Sequence, residues 1–299
     1  MRVMREVRCF PARSASAVGL GNSFAGSIGR DGFEMFWTVR AVVEGAVDPV
    51  TGYLCNIKAL DAVLREVVVA RLGAAASAVT GAVVEEDLAG HEGAQRRVAA
   101  GPLPHGRGSE CGGLAAALRA ALPEAARQCP ARTRLVSLEL AVSPFLRFTV
   151  LQGAAAMVRV THTFEFSAAH RLYCPQLSED ENRATFGKCS NPHGHGHNYI
   201  LEVVVAGDPD DHGGTVVDME RFDRTVKERV IDRFDHKHLN LDCQEFRTLN
   251  PSVENIARVI WQRLVGGFAP GRLACVRVWE TPKTYAEYAG EEGNEGVRE

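Results

Sequence analysis

The chain has 299 residues, 45% of them hydrophobic and 24% charged, with a formal net charge of −3. Those values predict two modest domains with real cores and exclude a strongly basic nucleic-acid binder. The first ten residues hold Arg2, Arg5 and Arg8 and no apolar core, so no export signal is read there. The most apolar stretch, 67–84, is mostly Ala and Gly and contains Arg71, which argues against a membrane span. A soluble cytoplasmic protein without membrane or nucleic-acid partners is expected. Eight single cysteines (9, 55, 111, 129, 174, 189, 243 and 275) form no Cys-x-x-Cys pair and are expected to be reduced.

Taken in chain order, the two halves read as copies. An apolar strand run at 36–43 is followed by the turn residues Asp48-Pro49-Val50-Thr51-Gly52 and a helical pattern over 57–72. Leu114, Leu118 and Leu122 mark a second helix, and a strand over 135–142 ends before Pro144. In the second half the run 199–205 precedes Asp208-Pro209-Asp210 and a helix over 219–234, apolar at 219, 222, 226, 230 and 234. Ser252 caps a further helix carrying Ile256, Ile260 and Leu264, with Glu254 in its first turn. A strand over 273–280 closes before Pro282. Long strands adjacent in sequence, each half with two helices, predict a tandem α+β duplication, each copy an antiparallel sheet with helices on one face. The domains are expected at 1–150 and 158–290. A stretch rich in Gly, Ala, Arg and Pro at 89–113 reads as a flexible insertion in the first.

Histidine is unevenly spread: eight of ten lie after position 150, and residues 1–90 hold none. His195 and His197 are two apart on a strand and share a face. The alternation over 161–170 puts His162, Phe164, Phe166, Ala168 and His170 on one face. His170 beside a His-x-His strand can complete a three-imidazole site, which suits zinc with a position open to substrate. His193 and His162 are expected to be structural or solvated. Cys189 precedes the pair, Asp235-His236 follows the first helix, and Glu280 ends the closing strand. Each of these alone has an ordinary structural use, as core thiol, helix cap or edge charge.

Together the strings resemble the 6-pyruvoyltetrahydropterin synthase family over residues 158–290. They are Phe166-Ser167-Ala168-Ala169-His170-Arg171-Leu172, Phe186-Gly187-Lys188-Cys189, His195-Gly196-His197-Asn198-Tyr199, Phe234-Asp235-His236-Lys237, Glu254-Asn255 and Glu280-Thr281. The resemblance implies the tunnelling fold, in which subunits join sheets into a ring and sites form at interfaces, and hence a homo-oligomer. It implies that His170, His195 and His197 hold zinc, and that Cys189 is the general base with Asp235 and His236 as its activating pair. Glu280 is implied to grip the pterin's guanidine-like edge through two parallel N–H bonds, with Glu254 assisting. The implied substrate is 7,8-dihydroneopterin triphosphate, which loses triphosphate and rearranges by internal proton shifts. The residue types suit this chemistry, since a Lewis acid and a base of moderate pKa are what carbinol C–H removal needs. Lys188, Arg183 and Lys237 are nearby candidates for the triphosphate.

A rival within the same fold is 6-carboxytetrahydropterin synthase of queuosine synthesis, which releases acetaldehyde. Five residues separate Cys189 from His195, the spacing of the pyruvoyl type, whereas three is usual for the carboxy type. A non-catalytic pterin-binding module is a third reading, although pterin binding alone would not need Cys189, Asp235, His236 and the three imidazoles. In the first half Ala17 stands for His170, Phe33 and Met35 for His195 and His197, Gly73 and Ala74 for Asp235 and His236, and Val142 for Glu280. That half is expected to be a non-catalytic scaffold.

Overall fold

The computed structural model describes residues 1–9, 37–76, 109–153, 157–210 and 214–291. The chain divides into two compact units, Met1–Val160 with Gly207–Val216, and Thr161–Ala206 with Val217–Glu299. Among the described residues no helix is long and apolar enough to cross a membrane.

The first unit holds β1 (Arg2–Cys9), β2 (Trp37–Gly45), α1 (Ile57–Val63), α2 (Ser109–Gln128), β3 (Thr133–Ala141) and β4 (Leu146–Leu151). Its strands pair antiparallel in the order β1-β2-β3-β4. Alternation sorts the two faces. Val39, Ala41, Val43, Leu138, Leu140, Phe148 and Val150 are buried. On the other face Arg40 pairs with Glu6 at 2.8 Å and with Glu139 at 2.7 Å across three strands. α1 runs on into a π-helical stretch, Leu64–Val69.

The second unit holds β5 (Val158–His170) from Thr161 on, α3 (Glu179–Phe186), β6 (His195–Gly207) as far as Ala206, α4 (Met219–Val226), β7 (Lys237–His238), α5 (Leu239–Asp242), α6 (Val253–Leu264), β8 (Arg272–Thr281) and β9 (Thr284–Tyr288). The sheet order is β5-β6-β8-β9, with β6-β8 and β8-β9 antiparallel. The short β7 pairs parallel with β5, a departure from the wholly antiparallel expectation. Phe222, Val226, Val230 and Phe234 are fully buried, so the face predicted from spacing is the one that packs.

The units repeat local details at fixed spacing. Asp48, Gly52, Asn56 and Ile57 stand 162 residues before Asp210, Gly214, Asp218 and Met219. The Gly52 N–H donates to the Asp48 carbonyl at 2.8 Å, and the Gly214 N–H to the Asp210 carbonyl at 3.0 Å. Both glycines have positive φ, 72° and 64°, where a side chain would be strained. Asn56 and Asp218 cap the helices that follow, and α4, like α1, passes into a π-helical stretch, Lys227–Ile231. The β2–β3 pairing shifts register at Val42/Val43 and the β6–β8 pairing at Val204/Val205. Two residues before each shift a salt bridge crosses the strands, Arg40 to Glu139 in one unit and Glu202 to Arg277 in the other. The charges are exchanged.

Three sequence expectations change. The helical patterns over 57–72 and 219–234 are each interrupted by π-helical backbone, which spacing alone does not reveal. Residues 109–113, read as the end of the insertion, lie in the first turns of α2, while 89–108 fall outside the described residues. Gly73 and Ala74 continue a helix, whereas Asp235 ends one. Ala17, Phe33 and Met35 lie outside the described residues.

Candidate metal centre

β5 and β6 bring the imidazoles together through strand alternation. Phe166, Ala168 and His170 lie on the buried face of β5, and β6 begins with His195, His197 and Tyr199 on one face. The chain enters β6 through Gly194, whose φ is 71°. A Cβ there would lie 2.8 Å from the His170 carbonyl oxygen and 2.8 Å from His238 Nε2, so this turn needs glycine twice over, for its backbone and for its space. Gly194→Ala is expected to destabilise the protein by about 2 kcal/mol or more and to weaken metal binding by displacing His195. Denaturant unfolding with and without metal checks this, and an unchanged midpoint would contradict it.

The ligand atoms of His170, His195 and His197 all lie within 4.8 Å of one another. His170 is fully buried, and its Nδ1 donates to the Pro251 carbonyl at 2.8 Å. That bond leaves the Nε2 lone pair facing the cluster, 3.2 Å from His195 Nε2. His197 Nε2 is buried with no hydrogen-bond partner. Three nitrogens converging at this spacing, one with its tautomer fixed and another orphaned, fit a divalent metal of zinc type. Tyr199, also buried, places its hydroxyl 3.4 Å from His170 Nδ1.

Burial pushes the metal-free His170 imidazole down from 6.5 to about 4. Its folded value lies below its unfolded one, so the associated stability is present above pH 6.5 and lost as pH falls toward 4. Chelator-treated protein should therefore lose up to about 3 kcal/mol over that interval. Unfolding midpoints flat between pH 7 and pH 4 would contradict the assignment.

Glu280, near the end of β8, directs its carboxylate toward the cluster. Its Oε1 is 3.4 Å from His170 Nε2 and 3.6 Å from His197 Nε2. Beside it lies a cavity of about 910 Å³ whose lining includes Ser167, His197, His236, Lys237 and Thr281. Cys189 sits in a 3-10 turn, Gly187–Ser190, that follows α3. A capping box, Ser178 with Glu181, starts that helix, and buried Asn182 anchors it to the Cys174, Leu177 and Ser178 carbonyls. The Leu172 N–H donates to the Cys189 carbonyl at 2.8 Å. Burial, and then the Glu280 carboxylate, push the Cys189 thiol up. The sequence reading asks for a base of moderate pKa, and this shift runs against it. In the metal-free chain the charge acting on it, that of Glu280, is negative.

Asp235 and His236 form a pair, Oδ2 to Nδ1 at 2.8 Å, with the His236 side chain 83% exposed. β5 pins the pair: the Ser167 N–H donates to Asp235 Oδ1 at 2.8 Å, and the His236 N–H donates to the Ser167 carbonyl. Among the described residues no hydrogen bond joins the Cys189 thiol to His236, and Cys189 does not line the cavity that His236 lines. Glu254 is exposed in the first turn of α6, away from that lining. Of the triphosphate candidates, Lys237 lines the cavity, while Lys188 and Arg183 are exposed outside its lining. His162 contacts Asp223 at 2.8 Å and packs on Phe164 and Phe222, and His193 is exposed. The sequence reading missed Pro251, Tyr199 and His238. Tyr199 continues the i, i+2 run of the two histidines and carried a legible signal. The other two did not.

Fold and cluster define the class: an antiparallel sheet with helices that carries a three-histidine centre beside a carboxylate-lined cavity. A family model described as 6-pyruvoyl tetrahydropterin synthase matches residues 159–291. The chain is 38% identical over 139 residues to the 6-pyruvoyl tetrahydrobiopterin synthase of Homo sapiens, a match covering 46% of this chain and 96% of that one. It is 26% identical over 149 residues to the 6-carboxy-5,6,7,8-tetrahydropterin synthase of Rickettsia felis, covering 44% and 99%. The solved structure of the Caenorhabditis elegans 6-pyruvoyl tetrahydropterin synthase has 38% identity and a TM-score of 0.43, covering 45% of this chain and 96% of that one. The chain belongs to the 6-pyruvoyl tetrahydropterin synthase family.

Proposed function

We propose that the protein is a zinc-dependent lyase that converts 7,8-dihydroneopterin triphosphate to 6-pyruvoyltetrahydropterin and triphosphate. The observation that carries this reading is the convergence of three imidazole nitrogens in which the Pro251 carbonyl fixes the tautomer of His170. His170, His195 and His197 would hold the metal, which supplies Lewis acidity to the oxygens of the substrate's side chain. Glu280 accepts two N–H bonds from the pterin edge and orients the ring. Cys189 takes the carbinol proton, and Lys237 faces the triphosphate across the cavity. Triphosphate leaves with its bonding electron pair, and protons shift within the side chain, so no external oxidant or reductant is used.

The exposed Asp235–His236 pair suits service to a thiol that its own chain does not present to it. The reading therefore has Cys189 of one domain meeting Asp235 and His236 of another in a ring of copies. Metal analysis tests the core of this function. One zinc per chain, with turnover lost on chelation and restored by zinc, is expected. Undiminished turnover by metal-free protein would refute it.

The carboxy-type reading, 6-carboxytetrahydropterin synthesis with release of acetaldehyde, rests on the 26% match to that enzyme class. The 38% matches and the Cys189–His195 spacing favour the pyruvoyl type. The first unit is read as a second copy of the same fold, supported by the repeated turn, caps, π-helical stretches and register shifts. On this reading it retains packing and has lost the chemistry: Val142 stands where Glu280 does, and the helix continues through Gly73 and Ala74 where the other unit ends its helix at Asp235. We assign it a scaffold role, with a cytoplasmic location for the whole. Deleting residues 1–150 should then abolish assembly or solubility, read by size-exclusion chromatography. A soluble, fully active fragment would overturn that role.

A further inference from the structure

Glu280 has two demands on one carboxylate. Its Oε1 lies 3.4 Å from His170 Nε2 and 3.6 Å from His197 Nε2, beside the 3.2 Å contact between His170 Nε2 and His195 Nε2. Ligand atoms on a tetrahedral zinc at ordinary bond lengths are about 3.3 Å apart, the edge of the tetrahedron. The carboxylate therefore stands off two of the three nitrogens, those of His170 and His197, at the separation of a co-ligand, while it lies outside the group of three whose ligand atoms are all within 4.8 Å of one another. His170 Nδ1 donates to the Pro251 carbonyl, so the Nε2 that faces Glu280 presents its lone pair, and His197 Nε2 has no hydrogen-bond partner. A neutral imidazole lone pair facing a carboxylate oxygen gains nothing directly. A cation between them removes the conflict.

The geometry points to Glu280 as a displaceable ligand that occupies the metal's substrate position until a pterin ring draws the carboxylate away. This inference rests on the metal reading above and goes beyond it. A carboxylate that accepts two parallel N–H bonds from the ring edge has turned its oxygens toward that edge and away from the histidines. The two roles exclude each other, so ring recognition itself opens the coordination position. The exchange balances simply. With a metal held by the three histidines, the bond from Oε1 to it would break with both electrons staying on oxygen, two N–H···O bonds would form, and no proton or electron would be transferred. The cavity beside Glu280 opens to Ser167, His236 and Thr281, which gives the side chain somewhere to swing. An unliganded site closed in this way also keeps stray anions off the metal.

The test uses the full chain loaded with cobalt(II), whose visible absorption reports coordination, and compares the wild type with Glu280→Ala and Glu280→Gln. Azide, a small anion that needs an exchangeable position, is the first probe. It is expected to leave the wild-type spectrum unchanged and to shift that of Glu280→Ala. Neopterin, which carries the ring edge without the triphosphate, should shift the wild-type band and make it responsive to azide. In a competition with a chromophoric chelator, both variants should bind zinc at least about tenfold more weakly, the lower limit for losing even an outer-shell partner. Glu280→Gln keeps the side-chain volume and guards against loss of fold in Glu280→Ala. An azide response in the wild type equal to that of both variants, with cobalt bound one to one, overturns the inference and leaves the metal site standing. Failure of the wild type to bind cobalt or zinc removes the metal reading and this inference with it.

Discussion

Replacing Cys189 with alanine is expected to leave one metal per chain in place while lowering turnover about 10²–10⁴-fold, the usual contribution of a positioned acid–base group. The two effects separate because the thiol lies outside the three-nitrogen cluster and makes no hydrogen bond among the described residues. What Cys189 contributes to the fold is its carbonyl, which accepts from the Leu172 N–H, and alanine keeps that carbonyl. The loss should fall on kcat and kcat/KM alike, since a base acts in the transition state rather than in ground-state binding. Metal content by atomic absorption and steady-state rates check it. A Cys189→Ala protein that turns over normally would assign the base elsewhere.

His197→Ala has the second largest expected effect. The zinc sites of small domains are worth about 10–16 kcal/mol with four ligands, so one imidazole accounts for roughly 3 kcal/mol, or about 10²-fold in affinity. Activity at limiting zinc should fall with it. The metal-free fold should change little, because His197 is partly exposed and its orphaned Nε2 makes no hydrogen bond. His170 makes the contrast. Truncating it empties a fully buried site and strands the Pro251 carbonyl, so a stability loss would obscure the metal loss. Zinc titration of the two variants, with unfolding curves of their metal-free forms, separates ligand from core. Equal zinc affinity in His197→Ala and the wild type would remove His197 from the centre.

The apolar spacing of Phe222, Val226, Val230 and Phe234 was legible because burial selects one helical face, and the same holds for Leu114, Leu118 and Leu122. β1 was not legible. Its buried Val7 and Cys9 alternate with Glu6 and Arg8, charges that pair on the sheet's polar face and hide the strand pattern in a single sequence. The π-helical stretches leave no mark on residue type either. At the site, His195 and His197 follow from alternation, and His170 from the end of the neighbouring strand. The carbonyl that fixes the tautomer of His170 comes from 81 residues away, and no local pattern announces such a contact. The closeness of Glu280 to two imidazoles is likewise a product of β8 pairing with β6. Residue identity named the groups of Cys189, Asp235 and His236 without giving their distances, and the single chain leaves the thiol and the pair unbonded.

The most direct test of the central claim incubates the zinc-loaded full chain with 7,8-dihydroneopterin triphosphate and identifies the products by mass. Triphosphate and 6-pyruvoyltetrahydropterin are expected in equal amounts, without acetaldehyde. Acetaldehyde with the 6-carboxy product would contradict the pyruvoyl assignment, and no release of triphosphate would contradict the account as a whole.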